Sequence, residues 1–168
     1  MATFEFKGME EYIALLERLG HDTDAVCGKA IYAGAGVVAD AIRAGVETLP
    51  EITEGHAVFG YVTERPALGV TPRQKEGLLR GLGITEKEDK FGRHNVKVGF
   101  DGYNDVKTKK FPKGQPNVLV ARGVESGSSA KLKFPFVRPA VNRVRSKAEA
   151  AMAEAADQEI QKILNESE

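Results

Sequence analysis

The chain has no tryptophan and only one cysteine, and aromatic residues make up 7% of its 168 residues. A single cysteine excludes a disulfide framework within the chain. The 42% of hydrophobic residues suffices for a core, but with few aromatics that core must consist of small aliphatic side chains that permit close backbone packing. The sequence therefore predicts one folded domain over residues 1–168.

Long apolar segments are also expected to be missing. Residues 1–8 contain no apolar stretch typical of a secretory signal. We expect no run that approaches the ~20 apolar residues of a membrane span. The simplest interpretation is a protein made in a reducing cytoplasm, with no membrane contact.

The net charge is zero, but the charges are unevenly distributed along the chain. Residues 1–60 carry an excess of six acidic charges, residues 101–146 an excess of seven basic charges, and residues 147–168 an excess of four acidic charges. Separate acidic and basic regions suit head-to-tail association between copies of the chain. Mutual neutralisation inside one monomer is the alternative, and the two interpretations carry equal weight at this point.

Apolar periodicity predicts two N-terminal helices. The first covers residues 8–19 and ends at Gly20, and the second covers residues 22–48. Glycines within the second helix weaken it intrinsically and therefore indicate close approach by another backbone. The second helix has the apolar row Val26, Ala30, Ala33, Val37, Ala41 and Ala44, and its glycines are Gly28, Gly34, Gly36 and Gly45.

The middle of the chain predicts a short helix and a small antiparallel sheet. Thr71 and Pro72 have the pattern of an N-cap followed by proline at the first helical position. Strands are expected at residues 84–88 and 95–100, joined by a charged turn, with a third strand at residues 117–124. A long exposed loop over residues 101–116 separates the last two strands.

A long C-terminal helix completes an α+β fold. Residues 126–129 predict a flexible joint, and Pro139 suits the first turn of the helix that follows. We expect this helix to pack on the sheet and on the second helix, because both helices carry small-residue rows that need a partner. Its end, residues 165–168, is expected to fray.

No group of residues has the spacing of a catalytic or metal-binding site. The three histidines lie far apart in the sequence, and Cys27 sits in an apolar helical context. Residues 34–39 match G-x-G-x-x-A, but a helical row precedes them where a dinucleotide site requires a strand. We therefore predict that the protein is not an enzyme and binds no cofactor or metal.

Two charged features favour a partner. The first is a basic loop in which lysines alternate with aromatic residues, a composition typical of nucleic-acid-facing loops, although a solvated turn is the alternative. The second is the C-terminal helix, whose positive residues precede its negative ones, against the helix dipole. The loop residues are Tyr103, Lys107, Lys109, Lys110, Phe111 and Lys113, and the positive helix residues are Arg138, Arg143, Arg145 and Lys147.

Two segments near the C-terminus carry a recognisable pattern. Residues 124–129 read VESGSS, and residues 134–140 read FPFVRPA. With the strand VKVGF at residues 96–100, they resemble the head–tail joining or tail-completion (neck) proteins of long-tailed bacteriophages and prophages. The order of elements matches along essentially the whole chain, and the resemblance is specific around residues 124–140. Residues 71–82 depart from the family pattern.

The resemblance implies a non-enzymatic virion protein, assembled in the bacterial host cytoplasm as a homo-oligomeric ring, with a hexamer expected. The ring would lie in the neck, between the portal or head-completion (connector) proteins and the tail-terminator or tail-tube proteins. DNA would contact it only while passing through the channel. The opposed charged regions independently suit closure of a ring.

Site residues follow from this interpretation. The expected subunit or neighbour-ring interface is Phe134, Phe136, Arg138, Arg143 and Arg145, with Arg138 placed for a carboxylate from residues 1–60 of the same chain or the next copy. The basic loop is expected to face the channel or a neighbouring ring. The alternative is a small DNA-binding module that uses residues 103–113.

Overall fold

The computed structural model describes residues 9–52, 67–86, 88–90 and 93–165. Helices combine with short antiparallel strands, which confirms the predicted α+β class. The expected frayed end at residues 166–168 lies outside the described residues. The elements in chain order are α1 (Met9–Glu47), α2 (Pro72–Gly81), β1 (Leu82–Ile84), β2 (Glu88–Lys90), β3 (Arg93–Asn95), β4 (Val98–Phe100), α3 (Asn117–Ser126) and α4 (Val137–Asn165).

The two predicted N-terminal helices form one continuous helix of 39 residues, α1, so the expected break at Gly20 is wrong. A glycine within a helix costs about 1 kcal/mol, and it ends the helix only when a competing turn or cap compensates. Gly20 is exposed, and a Cβ added there would meet nothing within 4 Å. The helical hydrogen bonds therefore continue across it.

The second half of α1 corrects another expectation. By length and composition alone, residues Asp22–Glu47 would suffice for a membrane span, with a mean hydropathy of 1.4. A core helix of a soluble protein passes the same test, so this property carries little weight. In the structure, Ala41, Ile42 and Val46 of this segment are buried against other elements of the same chain.

The predicted cap of α2 is confirmed. The Thr71 hydroxyl accepts a hydrogen bond from the Gln74 N–H at 3.2 Å, and the Gln74 side-chain oxygen accepts one from the Thr71 N–H at 3.1 Å. This reciprocal capping box satisfies two of the backbone donors that every helix start leaves unpaired. Pro72 occupies the first turn, as the sequence predicts.

The predicted antiparallel pairing of the two middle strands is confirmed, but each strand is divided in two, so that two separate two-stranded sheets form and β2 and β3 extend into the predicted turn. β1 pairs with β4, with Leu82 opposite Phe100, and β2 pairs with β3, with Lys90 opposite Arg93. The sheet formed by β1 and β4 begins directly after α2, because Leu82, the first residue of β1, follows Gly81, the last residue of α2, with no loop between them.

The third predicted strand is wrong, because residues 117–126 form helix α3. Val120, Ala121 and Val124 are buried, whereas Val118 and Leu119 are exposed. The buried residues occupy positions i, i+1 and i+4, which share one face of a helix. On sequence alone, however, a short apolar run fits a strand equally well. The burial pattern, set by contacts with the rest of the chain, decides for the helix.

Residues 101–116 form a loop, as predicted, but the loop is anchored rather than wholly exposed. Asn104 and Val106 are buried, and the Asn104 side-chain amide donates to the side-chain oxygen of Asn117 at 3.4 Å. Asn117 in turn donates to the backbone oxygen of Asp101 at 2.8 Å. Because buried polar groups must be hydrogen-bonded, this asparagine pair holds both ends of the loop against the fold.

The C-terminal helix α4 packs along α1, which confirms the predicted pairing. The helices are antiparallel: Gly45 meets Phe136, Gly34 meets Met152, and Lys29 forms an ion pair with Glu159. A Cβ at Gly34 would lie 2.5 Å from the Met152 Cγ, so here the glycine does allow close approach.

One apolar core joins α1, α2, the sheet, α3 and the start of α4. Val46, Val70, Leu78 and Val124 are fully buried within it. The rings of Phe100 and Phe136 lie 6.0 Å apart, which brings the start of α4 to the sheet. This core fixes the positions of the residues considered next.

Candidate subunit interface at the start of the C-terminal helix

The start of α4 is held by a carboxylate from the end of α3. Glu125 accepts hydrogen bonds from the backbone N–H groups of Phe136, Val137 and Arg138 at 2.7, 2.9 and 3.1 Å. These donors belong to the first turn of α4, where no intrahelical acceptor exists. A negative charge at this end also complements the helix dipole. The sequence motif does not reveal this contact, because nothing in it specifies what faces the helix start.

The pKa of Glu125 reports the strength of this contact. Partial burial alone would raise the pKa, but the backbone N–H groups of Val137, Phe136 and Arg138, with the charge of Arg138, outweigh it. The net pKa therefore lies below its ordinary value. The carboxylate stays ionised and clamps the helix start at neutral pH.

The joint predicted at residues 126–129 is a hydrogen-bonded turn, which corrects the expectation of free reorientation. Gly127 adopts a φ of +80°, which favours glycine. The Ser128 N–H donates to the Lys131 oxygen at 2.8 Å, and the Phe134 N–H donates to the Val124 oxygen at 2.8 Å. The segment before α4 thus forms a turn of its own and is tied to α3 near its end, at Phe134.

The two phenylalanines of the FPF segment have different positions. Phe136 is buried, at 4% exposure, and packs in the core against Phe100, so its predicted place in a subunit interface needs correction. Phe134 is half-buried and remains accessible at the surface. The sequence could not separate them, because both flank the same proline.

A groove of about 350 Å³ lies between the end of α1 and the start of α4. Its lining is mostly apolar and includes one cation, the exposed Arg143. This shape and composition suit the insertion of a side chain or a short segment from another polypeptide. Residues lining the groove include Ala44, Gly45, Thr48, Phe134, Pro139 and Arg143.

The predicted interface arginines are all exposed. The Arg138 side chain is 81% exposed, and its Nε lies 4.0 Å from a Glu125 oxygen. Its neighbouring carboxylate in the described chain is therefore Glu125, not an acid from residues 1–60. Exposed pairs at this distance contribute little to stability, which leaves Arg138 available to a partner. Arg143 lines the groove.

The basic loop presents its predicted residues to solvent. Lys107, Lys109, Lys110, Lys113 and Tyr103 are exposed, and the Lys110 ammonium lies 5.6 Å from the centre of the half-buried Phe111 ring. The backbone of Tyr103 pairs with that of Pro116 in an isolated antiparallel β-bridge, which places Tyr103 beside the start of α3. Val118 and Leu119 of α3 are also exposed. The sequence gives no sign that these two apolar residues share one exposed surface, because the segment reads as a strand, in which neighbouring side chains point to opposite faces.

Sequence reasoning also missed Lys131, a half-buried lysine. The Lys131 ammonium donates to the Gly69 oxygen at 2.6 Å and to the Gln74 side-chain oxygen at 3.3 Å. Burial lowers the pKa of Lys131 to about 8. Lys131 thereby ties the segment before α4 to the start of α2. A lone lysine in a turn offers no sequence signal for this role.

The described residues contain no cluster of three or more His, Cys, Asp or Glu side chains suited to a metal ion. The candidate features are instead the groove lined by Arg143, the exposed Arg138 and Arg145, and the anchored basic loop. Comparisons of the chain with family models, with curated proteins and with solved structures found no match. The assignment of a role therefore rests on the residues and their geometry.

Proposed function

We propose that the chain is a structural protein of a phage neck, which assembles as a homo-oligomeric ring between the head connector and the tail tube. It carries no catalytic activity in this role, and its partners are further copies of itself, the connector proteins above and the tail-terminator or tail-tube proteins below. A hexamer is the expected ring. The virion neck is its site of action, after assembly in the bacterial cytoplasm.

One observation carries most of the support. The FPFVRPA segment that resembles the neck family leads into α4 with its start rigidly held by Glu125, while Arg138 projects into solvent. A fixed backbone lowers the entropy lost when a neighbour docks on it. Beside it, the groove offers an apolar recess with Arg143 at its rim. A stiff, charged edge next to a recess suits contact with an adjacent subunit.

The Arg138→Glu variant tests the interface. The side chain is exposed, so we expect the free energy of unfolding of the monomer to change by no more than ~1 kcal/mol. The melting temperature of the monomer should therefore change little. We expect the variant to form no rings. Electron microscopy and the yield of heads joined to tails measure this loss. Arg122→Glu, which changes another exposed cation, on α3, is the matched control and should assemble normally. Normal rings from Arg138→Glu, or an unfolded subunit, would contradict the assignment.

The basic loop has its own role in the proposal: contact with the channel or a neighbouring ring. Replacing Lys107, Lys109, Lys110 and Lys113 by Ser should leave folding intact, since none of the four is buried. Joining of heads to tails should fall. A control variant carries Arg122→Ser and Lys133→Ser, two exposed cations outside the loop. A wild-type particle yield from the fourfold variant would reduce the loop to a solvated turn.

A DNA-binding module is the second candidate. The observation in its favour is the exposed Tyr103, at 61% exposure, next to the lysine cluster, because base stacking on an aromatic ring accompanies electrostatic binding in such proteins. Size-exclusion mass with and without short duplex DNA separates the two roles. A mass that does not change when DNA is added supports the neck role, whereas a mass that increases by that of bound DNA supports the module.

A further inference from the structure

The outer surface of α4 lacks a partner within the described chain. The helix has 29 residues, of which only Ala140, Ala148 and Ile163 are buried. Its one extensive contact among the described elements is with α1. Helices of this length are stabilised in proteins by packing of their faces, so the large uncovered surface is notable.

A regular stripe of charged and small residues runs along this surface. Its members follow one another at alternating steps of four and three residues, which places them on one side of the helix. All are exposed. The first half of the stripe is basic, the second half is acidic, and a small alanine separates them. The stripe consists of Arg143, Lys147, Ala150, Glu154, Asp157 and Gln161.

These charges are not neutralised along the helix. Arg143 and Lys147 are like charges four residues apart, and Glu154 and Asp157 are like charges three residues apart, which is unfavourable in an isolated helix. Lys147 and Glu154 are separated by two turns, about 10 Å, too far for an ion pair. Within the described part of the chain, neither Arg143, Lys147 nor Asp157 forms an ion pair, and Glu154 accepts only from Gln158 at 3.4 Å.

We infer that this stripe pairs with the same stripe of a second copy, with the two α4 helices antiparallel. A two-fold axis at Ala150 places Arg143 opposite Asp157, and it places Lys147 within one residue, about 1.5 Å along the helix, of the position opposite Glu154; each pair occurs twice. A parallel arrangement would place like charges opposite one another. The small side chain of Ala150 lets the two helices approach at the axis. The sequence of charges is therefore self-complementary in one orientation only.

This inference does not depend on the proposed function. All copies in a cyclic ring point the same way, so a two-fold pair cannot be repeated around it. The pair is thus a form of the free protein, and it occupies Arg143 at the rim of the groove. If the neck role is correct, the free pair must open before rings form, and the ring and the pair compete for this arginine.

Sedimentation velocity of the full chain across protein and salt concentrations tests the pairing. The wild type should show a monomer–dimer equilibrium that weakens with salt, because exposed ion pairs are screened. R143E/K147E and E154K/D157K should each raise the dimer Kd by at least ~100-fold, because opposed like charges repel. An equimolar mixture of the two variants should form a heterodimer, and the fourfold variant with all charges exchanged should dimerise like the wild type.

Glu149→Lys is the matched control, because residue 149 is an exposed charge on α4 that lies about a third of a turn away from the stripe. It should leave the dimer intact. A wild type that is monomeric at low salt and high concentration overturns the inference. So does a dimer that survives R143E/K147E, or a mixture of the two variants that stays monomeric. Circular dichroism of each variant checks that α4 remains folded.

Discussion

The central core and the helical arm of this protein are stabilised in different ways. The central core, where α1 residues 41–49 meet α2, the sheet, α3 and the start of α4, contains fully buried Val46, Leu78 and Val124. The helical arm, where α1 residues 22–40 lie along α4 residues 147–165, buries chiefly alanines and one isoleucine, Ile163. The core depends on side-chain volume, whereas the arm depends on the absence of side chains where the helices touch.

Removing volume from the central core should have the largest effect. Leu78→Ala deletes a side chain with 0% exposure, and we expect a loss of about 2–5 kcal/mol in the free energy of unfolding. Urea denaturation measures it. Leu132→Ala is the control: its side chain is 45% exposed, so its loss should be less than ~1 kcal/mol. Equal losses for both variants would contradict the proposed dependence on volume.

Adding volume to the helical arm tests the other half of the comparison. A side chain at Gly34 would meet the Met152 Cγ at 2.5 Å and the Ala148 oxygen at 3.3 Å, so Gly34→Leu should cost about 1–3 kcal/mol. Gly36→Leu is the matched control, because a Cβ there meets nothing within 4 Å. Hydrogen exchange should increase in the arm and not in the core. Identical melting temperatures for the two variants would refute the close contact at Gly34.

Glu125 holds the start of α4 in the central core, and its charge makes that contact sensitive to pH. Because its folded pKa is depressed, its contribution is present above the unfolded pKa and disappears as pH falls through the folded pKa. Glu125→Gln should therefore lower stability by about 1–2 kcal/mol at pH 7. The difference from wild type, followed by thermal unfolding, should shrink towards zero in acid. A difference that is constant with pH would exclude the charge as its origin.

Lys131 gives the smallest effect, with the same sign as that of Glu125 but at alkaline pH. Its folded pKa of about 8 lies below its ordinary value, so the unfolded chain binds more protons and stability rises as pH increases from 8 towards 10. After allowance for partial exposure, the gain is on the order of 1 kcal/mol. Lys131→Met should lack this rise, whereas Lys133→Met, at an exposed position, should keep it. Parallel pH curves for wild type and Lys131→Met would contradict the assignment.

Local signals were sufficient for some elements and not for others. The cap of α2 follows from Thr71, Pro72 and Gln74, which lie within four residues of one another and form their own hydrogen bonds. Residues 117–126 carry no such signal, since a short apolar run fits either a strand or a helix until its neighbours bury one set of positions. The sequence likewise did not show which glycine of α1 allows the close approach of α4, which is Gly34 against Met152, whereas a Cβ at Gly36 would meet nothing within 4 Å.

The candidate interface divides in the same manner. The sequence indicated that residues 134–145 matter, but it did not distinguish the buried Phe136 from the accessible Phe134. It suggested a distant acid as the partner of Arg138, while the nearby carboxylate is that of Glu125. The sequence also predicted a flexible joint at residues 126–129, whereas the structure has a turn there, closed by a hydrogen bond between Ser128 and Lys131.

By itself, the sequence determined the α+β class, the cap of α2, the antiparallel pairing of the two middle strands, the pairing of the two long helices and the order of charges along α4. Each depends on interactions between residues near in sequence, or on an amphipathic pattern that needs some partner. The tertiary structure alone decided the continuity of α1, the helical state of α3, the anchoring of residues 101–116 and the clamp of Glu125 on α4. These depend on which distant groups meet, and burial by distant groups overrides weak local preferences because its free energy is larger.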